Sequence, residues 1–465
     1  MLPLSISIEK IYFFIYYLFF VLGVLTIPSV LLKKKRRPVS TLSWSLALLT
    51  LPFPSVLFWW FLGRTHLKRK IERKNDSDSK TKSLKASLKG VNFHEQDIVQ
   101  NSIIETYFDN TELFTDFKLA LKNAKKFIFL EFYIFNLDEE GNEILDILIQ
   151  KDTEGVEVFI LLDGLGAFGH YKKLYKKLER TRIKLSIFQP IKVSLLKGSI
   201  NFRNHRKLAL IDCEIAFTGS FNIGKEYHRD WKDIGVQVKG DIVKRYQEVF
   251  CDDWYFTTQE DLFLDKYFID SPEEYRYLEG KMSEAKVFLK ESGPDQDYNE
   301  NYDEFLSLIN NSNESINIVT PYFIPDEGIL TALRLARKRG VCLKLLVPQK
   351  SDVYFATLAS KSFYEEILEM GAEIYEYTTS MIHAKLYIID DNVTVLGSTN
   401  LDSRSFRLNF ELNTYFLSKD VNSRGNSFFN TLLNRSNKIS SSYLESRSKL
   451  QKYFEAFAHL LSPLF

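Results

Sequence analysis

The chain has 465 residues, 45% of them hydrophobic, so it is too long for one ordinary domain and can build sizeable cores. Its 61 Lys and Arg nearly balance 60 Asp and Glu, without the basic surplus that marks a dedicated nucleic-acid binder. Three cysteines, Cys213, Cys251 and Cys342, lie far apart with no C-x-x-C pair. That pattern argues against a disulfide framework or a cysteine zinc site and reads as buried free thiols in a reducing compartment.

From Ile11 to Leu32 the sequence runs apolar without a charge, roughly 33 Å if helical. A second apolar stretch, Val39 to Leu62, carries Trp44, Trp59 and Trp60, the last two placed as interfacial anchors often are. Two membrane helices are expected within residues 1–74. A cleaved signal peptide fits poorly, because the basic run Lys33 to Arg37 follows the first apolar segment. Pro52 and Pro54 interrupt the second segment, so it reads either as a crossing or as a broken, re-entrant hairpin. Residues 75–95 follow as a polar linker.

The remainder contains one unit twice. Asn204-His205-Arg206-Lys207 through Asp212 is answered by Ile382-His383-Ala384-Lys385 through Asp390. Downstream, Gly219-Ser220-Phe221-Asn222 is answered by Gly397-Ser398-Thr399-Asn400, and Asp233 by Glu411, each carboxylate 28 residues beyond its histidine. Upstream, the apolar runs Phe127 to Phe135 and Ile316 to Phe323 read as strands, each leading into a helix and a further strand. The expected fold is therefore α/β: two pseudo-symmetric units over residues 96–262 and 286–465, with mostly parallel sheets and helices on both faces. A linker falls at 263–285. From Ser440 onward, apolar residues recur at helical spacing, as a helix packed on the second unit or lying at a membrane surface.

Residues two apart on a strand share a face, so His205 and Lys207 point together, as do His383 and Lys385. A neutral imidazole beside a fixed ammonium suits attack on an anionic phosphorus centre. Ser220, Asn222, Ser398 and Asn400 are candidate substrate-binding donors, and Asp233 and Glu411 the candidates to hold the far ring nitrogens. If the two units face each other, one histidine is the nucleophile and the other protonates the leaving alcohol, and the pair gives a bell-shaped pH–rate profile. Adjacent lysines would repel a divalent cation, so no metal or other cofactor is expected. The remaining histidines, His66, His94, His170, His228 and His459, read as structural or solvated. Asp212 and Asp390 belong to the motif but are expected to organise the turn that follows it.

These paired motifs resemble the phospholipase D superfamily, and more narrowly the bacterial cardiolipin synthases. The resemblance extends over Asn201 to Lys207, Ser292-Gly293-Pro294-Asp295, Thr320 to Pro325, Asn400 to Phe406, Leu408 to Glu411 and Leu460 to Pro463. It implies two α/β/α domains sharing one cleft, with His205, Lys207, Asp212, His383, Lys385 and Asp390 as the catalytic set and no metal. It also implies transfer of a phosphatidyl group from one phosphatidylglycerol to another through a phosphohistidine, in a multi-pass protein of the bacterial inner membrane. His205 is then favoured as nucleophile and His383 as acid and base. Between Asn222 and Asp233 the chain is shorter than many relatives, a departure that bears on the acceptor lipid. Hydrolytic phospholipase D activity, another donor or acceptor, and a catalytically silent membrane scaffold are the competing readings; no nucleic-acid partner is expected.

Overall fold

In each half of the chain, two apolar βαβ crossovers force parallel pairing while the motif strand returns through a tight turn, which forces antiparallel pairing. A computed structural model describes residues 8–32, 38–60, 98–268, 283–296 and 299–462. Among them lies one sixteen-stranded mixed sheet. In the first half the order runs Val99–Tyr107, Gly235–Lys239, Ile215–Gly219, Leu208–Ile211, Phe127–Phe132, Glu157–Asp163, Lys184–Phe188. The second half repeats it: Ser283–Ser292, Asn409–Leu417, Val393–Gly397, Leu386–Ile389, Ser315–Val319, Cys342–Pro348, Glu373–Tyr377, with Ser436–Ile439 added at the edge. The halves join where Val99–Tyr107 pairs antiparallel with Ser283–Ser292.

The expectation of mostly parallel sheets is thus corrected. Phe127–Phe132, Glu157–Asp163 and Lys184–Phe188 are mutually parallel, as are Ser315–Val319, Cys342–Pro348 and Glu373–Tyr377, and the sixteenth strand, Arg203–Asn204, pairs parallel with Asn409–Phe410; the other pairings in the sheet are antiparallel. The motif hairpins, Leu208–Ile211 with Ile215–Gly219 and Leu386–Ile389 with Val393–Gly397, are antiparallel. At the hairpin tips Asp212 and Asp390 adopt φ of 56° and 51°. Both are held in that left-handed region by three backbone amides: Lys125, Lys126 and Phe127 donate to Asp212 at 2.7–2.8 Å, and Asn313, Glu314 and Ser315 to Asp390. Each motif aspartate therefore ties its turn to the start of the neighbouring strand, and neither reaches the cavity described below.

Helices cover the sheet. Glu139–Thr153 and Glu327–Lys338 are both capped by an aspartate, Asp138 and Asp326, whose side chains accept first-turn amides. Of the expected linker 263–285, residues 269–282 lie outside the described residues. Phe263 and Tyr267 are buried in the core, and the strand begins at Ser283. Cys213 and Cys251 are buried, but Cys342 opens a strand and is exposed, which corrects the reading of three buried thiols.

By their contacts the residues fall into two compact units, one of which groups the N-terminal helices with Gln189–Asn201. In that unit Ile8–Leu31 is one continuous helix, with Tyr12–Leu31 long and apolar enough to cross a membrane. The second apolar segment breaks at Leu51 into Pro38–Thr50 and Pro52–Phe58, where prolines begin a new helix. Two full-length helices are thus replaced by one long helix and two short ones. A Cβ on Gly23 would lie 2.7 Å from the Leu48 carbonyl oxygen, so glycine permits the close approach of these helices. Trp59 is buried and meets Trp44 edge-on at 5.3 Å, as packing rather than as an exposed anchor; Trp60 stays exposed. The basic clusters at 33–37 and 64–74 and the linker 75–95 lie outside the described residues.

Candidate active site

The short strand Arg203–Asn204 leaves its own half and pairs parallel with Asn409–Phe410 of the other. This register decides everything that follows for His205. Its backbone amide donates to the Phe410 carbonyl at 2.9 Å, and its Nδ1 lies 3.1 Å from both oxygens of Glu411. The second histidine repeats the arrangement in reverse. The amide of His383 donates to the Lys232 carbonyl at 2.8 Å, and its Nδ1 lies 2.9 Å from Asp233 Oδ2. Each imidazole is therefore held by the carboxylate of the opposite half. A carboxylate on Nδ1 fixes that nitrogen as the donor and leaves Nε2 with its lone pair.

The Gly-Ser-x-Asn segments brace those carboxylates. Gly219 and Gly397 lie so close to the carboxylate strands that a Cβ would come within 2.4 Å of the Ile234 and Leu412 carbonyl oxygens. Ser220 and Ser398 then donate their amides to those same carbonyls at 3.0 Å and accept the Ile234 and Leu412 amides on their hydroxyls. The Ser220 hydroxyl also donates to Asp233, and Asn409 donates to Glu411 at 3.0 Å. Both serine hydroxyls thus face the carboxylate strands, whereas Asn222 and Asn400 line the cavity.

That cavity, about 250 Å³, is walled by residues of both repeats, including His205, His383, Tyr133, Tyr227, Arg203 and Arg404. Tyr133 meets His205 edge-on at 5.1 Å, and Tyr227 meets His383 at 5.5 Å. Tyr227 comes from a single π-helical turn, Glu226–Asp230, inside the short segment between Asn222 and Asp233. The same segment pins the second motif through Lys232, whose amide donates to Met381 O at 2.8 Å. Sequence reasoning missed these wall residues. Arg203 carried a signal, since it stands two before His205 and so shares the strand face of His205 and Lys207; Tyr227 carried none.

Burial governs the electrostatics. It pushes His205 down to about 4, helped by the nearby Lys207 charge and opposed by Glu411. His383 is lowered by burial and by Lys385, against the pull of Asp233. Asp233 and Glu411 are also buried, which raises them, but their histidine partners and nearby lysines outweigh this and keep both below the usual carboxylate range. Burial depresses Lys207 strongly and pushes Lys385 down to about 8. Two buried lysines beside two buried imidazoles form a site that an anion would stabilise.

The two lysines are not used alike. Lys385 Nζ lies 2.9 Å from His383 Nε2 and 2.7 Å from its carbonyl oxygen. Lys207 Nζ donates to the His205 carbonyl at 2.5 Å and sits over the Tyr133 ring. Behind the first motif, Arg206 pairs with the buried Asp253 and donates to the Glu411 carbonyl at 3.2 Å, so a first-half arginine also fixes the second-half carboxylate strand. The other described histidines are tied elsewhere: His170 to the Leu137 amide, His228 to Glu140, and His459 to Ser362. His66 and His94 lie outside the described residues. No group of three or more His, Cys, Asp or Glu that could hold a metal occurs among the described residues.

Two repeats joined into one sheet, with histidines exchanged across their junction, define a phospholipase D-like protein. The family model for the cardiolipin synthase phospholipase D-like domain matches residues 118–254 and 305–433. A cardiolipin synthase of Alkalihalophilus pseudofirmus is 33% identical over 96% of this chain and 93% of its own length. One of Clostridium perfringens is 33% identical over 93% of this chain and 95% of its own. Among solved structures, the phosphatidylserine synthase of Haemophilus influenzae Rd KW20 aligns with a TM-score of 0.58 at 15% identity. It covers 78% of this chain and 95% of that one, a likeness of fold. The chain belongs to the cardiolipin synthase family of phospholipase D-like proteins.

Proposed function

We propose that the chain is a cardiolipin synthase that transfers a phosphatidyl group between two phosphatidylglycerol molecules. The observation that carries this reading is the pair of carboxylate-held histidines lining one cavity, in a chain aligned nearly end to end with proteins named cardiolipin synthase. In the first step His205 Nε2 bonds to phosphorus, the P–O bond to glycerol breaks, and a proton on His383 goes to the departing oxygen. In the second, His383 Nε2 takes the proton from the primary hydroxyl of another phosphatidylglycerol, the new O–P bond forms and the N–P bond breaks. The products are cardiolipin and glycerol, and both histidines return to their starting states. The roles follow the asymmetry of the lysines: Lys385 lies 2.9 Å from His383 Nε2, which gives that nitrogen a proton-relay partner that His205 lacks. Lys207 and Lys385 neutralise the phosphoryl oxygens, Asn222 and Asn400 donate to them, and Asp233 and Glu411 orient the rings.

We read the N-terminal helices as a membrane anchor, with Ile8–Leu31 crossing and the broken segment returning beside it, in a multi-pass protein of the bacterial cell membrane. The two repeats act as paired catalytic domains, and no metal takes part.

Incubation of the purified protein with labelled phosphatidylglycerol is the test. Cardiolipin plus glycerol is the expected outcome. Phosphatidic acid alone points to hydrolysis, and no turnover to a scaffold. His205→Ala and His383→Ala should each lower the rate by about 10³-fold or more. Near-normal activity in either variant defeats the shared site, as strong inhibition by a chelator defeats the metal-free mechanism.

A further inference from the structure

The cavity of about 250 Å³ is below the roughly 300–1,000 Å³ that encloses a drug-sized ligand, and a two-chain phospholipid is larger still. If the substrate is the phospholipid proposed above, the cavity takes its headgroup while the acyl chains stay outside. The residues at the mouth should then be apolar and exposed, contrary to the usual rule for a soluble surface.

Two loops have that character, and they occupy corresponding places in the repeat. One follows Glu157–Asp163 and presents Leu165 and Phe168, the latter 57% exposed. The other follows Cys342–Pro348 and presents Val353, Tyr354 and Phe355, with Tyr354 69% exposed. Both are bound to the cavity wall. In the first, Asp163 accepts the amides of Leu165 and Gly166 and that of Asn204, and pairs with Arg203. A Cβ on Gly166 would collide with the Tyr133 carbonyl at 2.0 Å, so the loop lies directly on a wall residue. In the second, Asp352, Val353 and Ala356 are themselves wall residues. Cationic side chains stand beside each loop: Lys172 and Lys173 after the first, Lys350 before the second, all exposed. On the second side the apolar surface continues. Tyr354 and Leu358 share a groove with Leu450 and Phe454 of the final helix, Lys449–Leu460.

We infer that these two pseudo-symmetric rims, Leu165/Phe168 and Val353/Tyr354/Phe355, insert into the surface of an anionic phospholipid bilayer and hold the cavity mouth against it. Exposed aromatic and aliphatic side chains flanked by lysines match that partner in polarity and charge. Headgroups then enter without their chains leaving the bilayer. The surface belongs to the catalytic body itself, in addition to the N-terminal helices.

The chain supplies its own control. Cys342 is exposed and begins the strand whose far end leads to the second rim, about 20 Å away at ~3.3 Å per residue. The full-length protein is reconstituted in phosphatidylglycerol-containing vesicles and labelled with a fluorophore at Cys342 in the natural chain. Phe168→Cys and Phe355→Cys are labelled in a Cys342→Ser background. Nitroxide lipids should quench both rim labels at least about twofold more than the Cys342 label; equal quenching at all three sites overturns the inference. This arm reads location and holds whatever the substrate is.

The second arm compares phosphatidylglycerol in bilayers with a short-chain, water-soluble phosphatidylglycerol. Phe168→Ser/Phe355→Ser should lose about tenfold or more on the first and stay within about twofold on the second. Equal loss on both substrates, or no loss on either, overturns the inference. A natural protein that turns over neither substrate counts against the proposed reaction, and the quenching arm still decides the surface.

Discussion

The two histidine sites are built by one rule and finished differently. In both, the histidine amide donates to the carbonyl just before a carboxylate of the other half, and the ring donates to that carboxylate. Beyond that shared frame the sites diverge. His205 has Glu411, an edge-on Tyr133 and an Arg206–Asp253 pair behind it. His383 has Asp233, Tyr227 and Trp231 against its ring, Lys385 on its Nε2, and Ala384 where the first motif has arginine. Duplication supplied two equivalent imidazoles with different surroundings, and on that difference rests the proposal that one attacks and the other transfers the proton. A symmetric pair could not do both jobs at once, since one ring must be neutral while the other carries the proton.

The crossed carboxylates offer the largest way to break this comparison. Asp233→Asn and Glu411→Gln should each lower turnover by roughly 10²–10³-fold, because the wrong tautomer is then favoured. Imidazole NMR resonances should report which ring responds: Asp233→Asn moves those of His383, and Glu411→Gln those of His205. A response of the histidine in the same half would sink the exchanged arrangement. The lysines come next. Lys385→Ala should cost about tenfold more activity than Lys207→Ala, since only Lys385 contacts its ring nitrogen. Equal losses would mean that the resting asymmetry has no bearing on the roles.

The pH profile sharpens the same division. His205 attacks as the neutral base, so activity falls as pH drops through about 4. In the proposed reaction His383 carries the proton for the leaving oxygen, and burial and Lys385 hold it below the ordinary histidine value, so activity falls again as pH rises through that lowered range. Lys385→Met, which removes the charge that lowers His383, should move the alkaline limb upward and leave the acid limb nearly in place. A buried histidine held below its ordinary value also binds fewer protons folded than unfolded, so stability should decline between about pH 6.5 and 4. The smallest effect on chemistry should come from Asp212→Ala and Asp390→Ala. Each leaves three backbone amides without their carboxylate, at about 2–3 kcal/mol of stability in thermal denaturation, with activity of the folded fraction changed about twofold at most. A far larger loss of turnover at unchanged stability would restore them to the chemistry.

Much of this was legible in residues alone. The repeat, the histidines, the lysines and both carboxylates stand at fixed offsets, and the turn role of Asp212 and Asp390 follows from their place after the motif strand. The partnership of carboxylate and ring was hidden. The offset of 28 residues is identical in both copies, and only the edge-to-edge junction of the sheets turns Glu411 toward His205. Apolar runs announced strands, and the turns at Asp212 and Asp390 announced returning ones, but not how far antiparallel pairing extends through the sheet. The serines looked like phosphate donors, and the structure turns them onto Ile234 and Leu412 because glycine lets two backbones come so close. Tyr227 could not be foreseen, because a π-helical turn leaves no periodic mark.

The exchange of carboxylates also sets an order of events during synthesis. When the first half leaves the ribosome, His205 and Lys207 are present, yet the strand that pairs with Arg203 and carries Glu411 does not exist. A chain stopped anywhere before that strand leaves His205 with no carboxylate to fix its tautomer, and one stopped before His383 lacks the second ring as well. In the proposed reaction, chemistry on phosphodiesters therefore waits for the nearly complete chain.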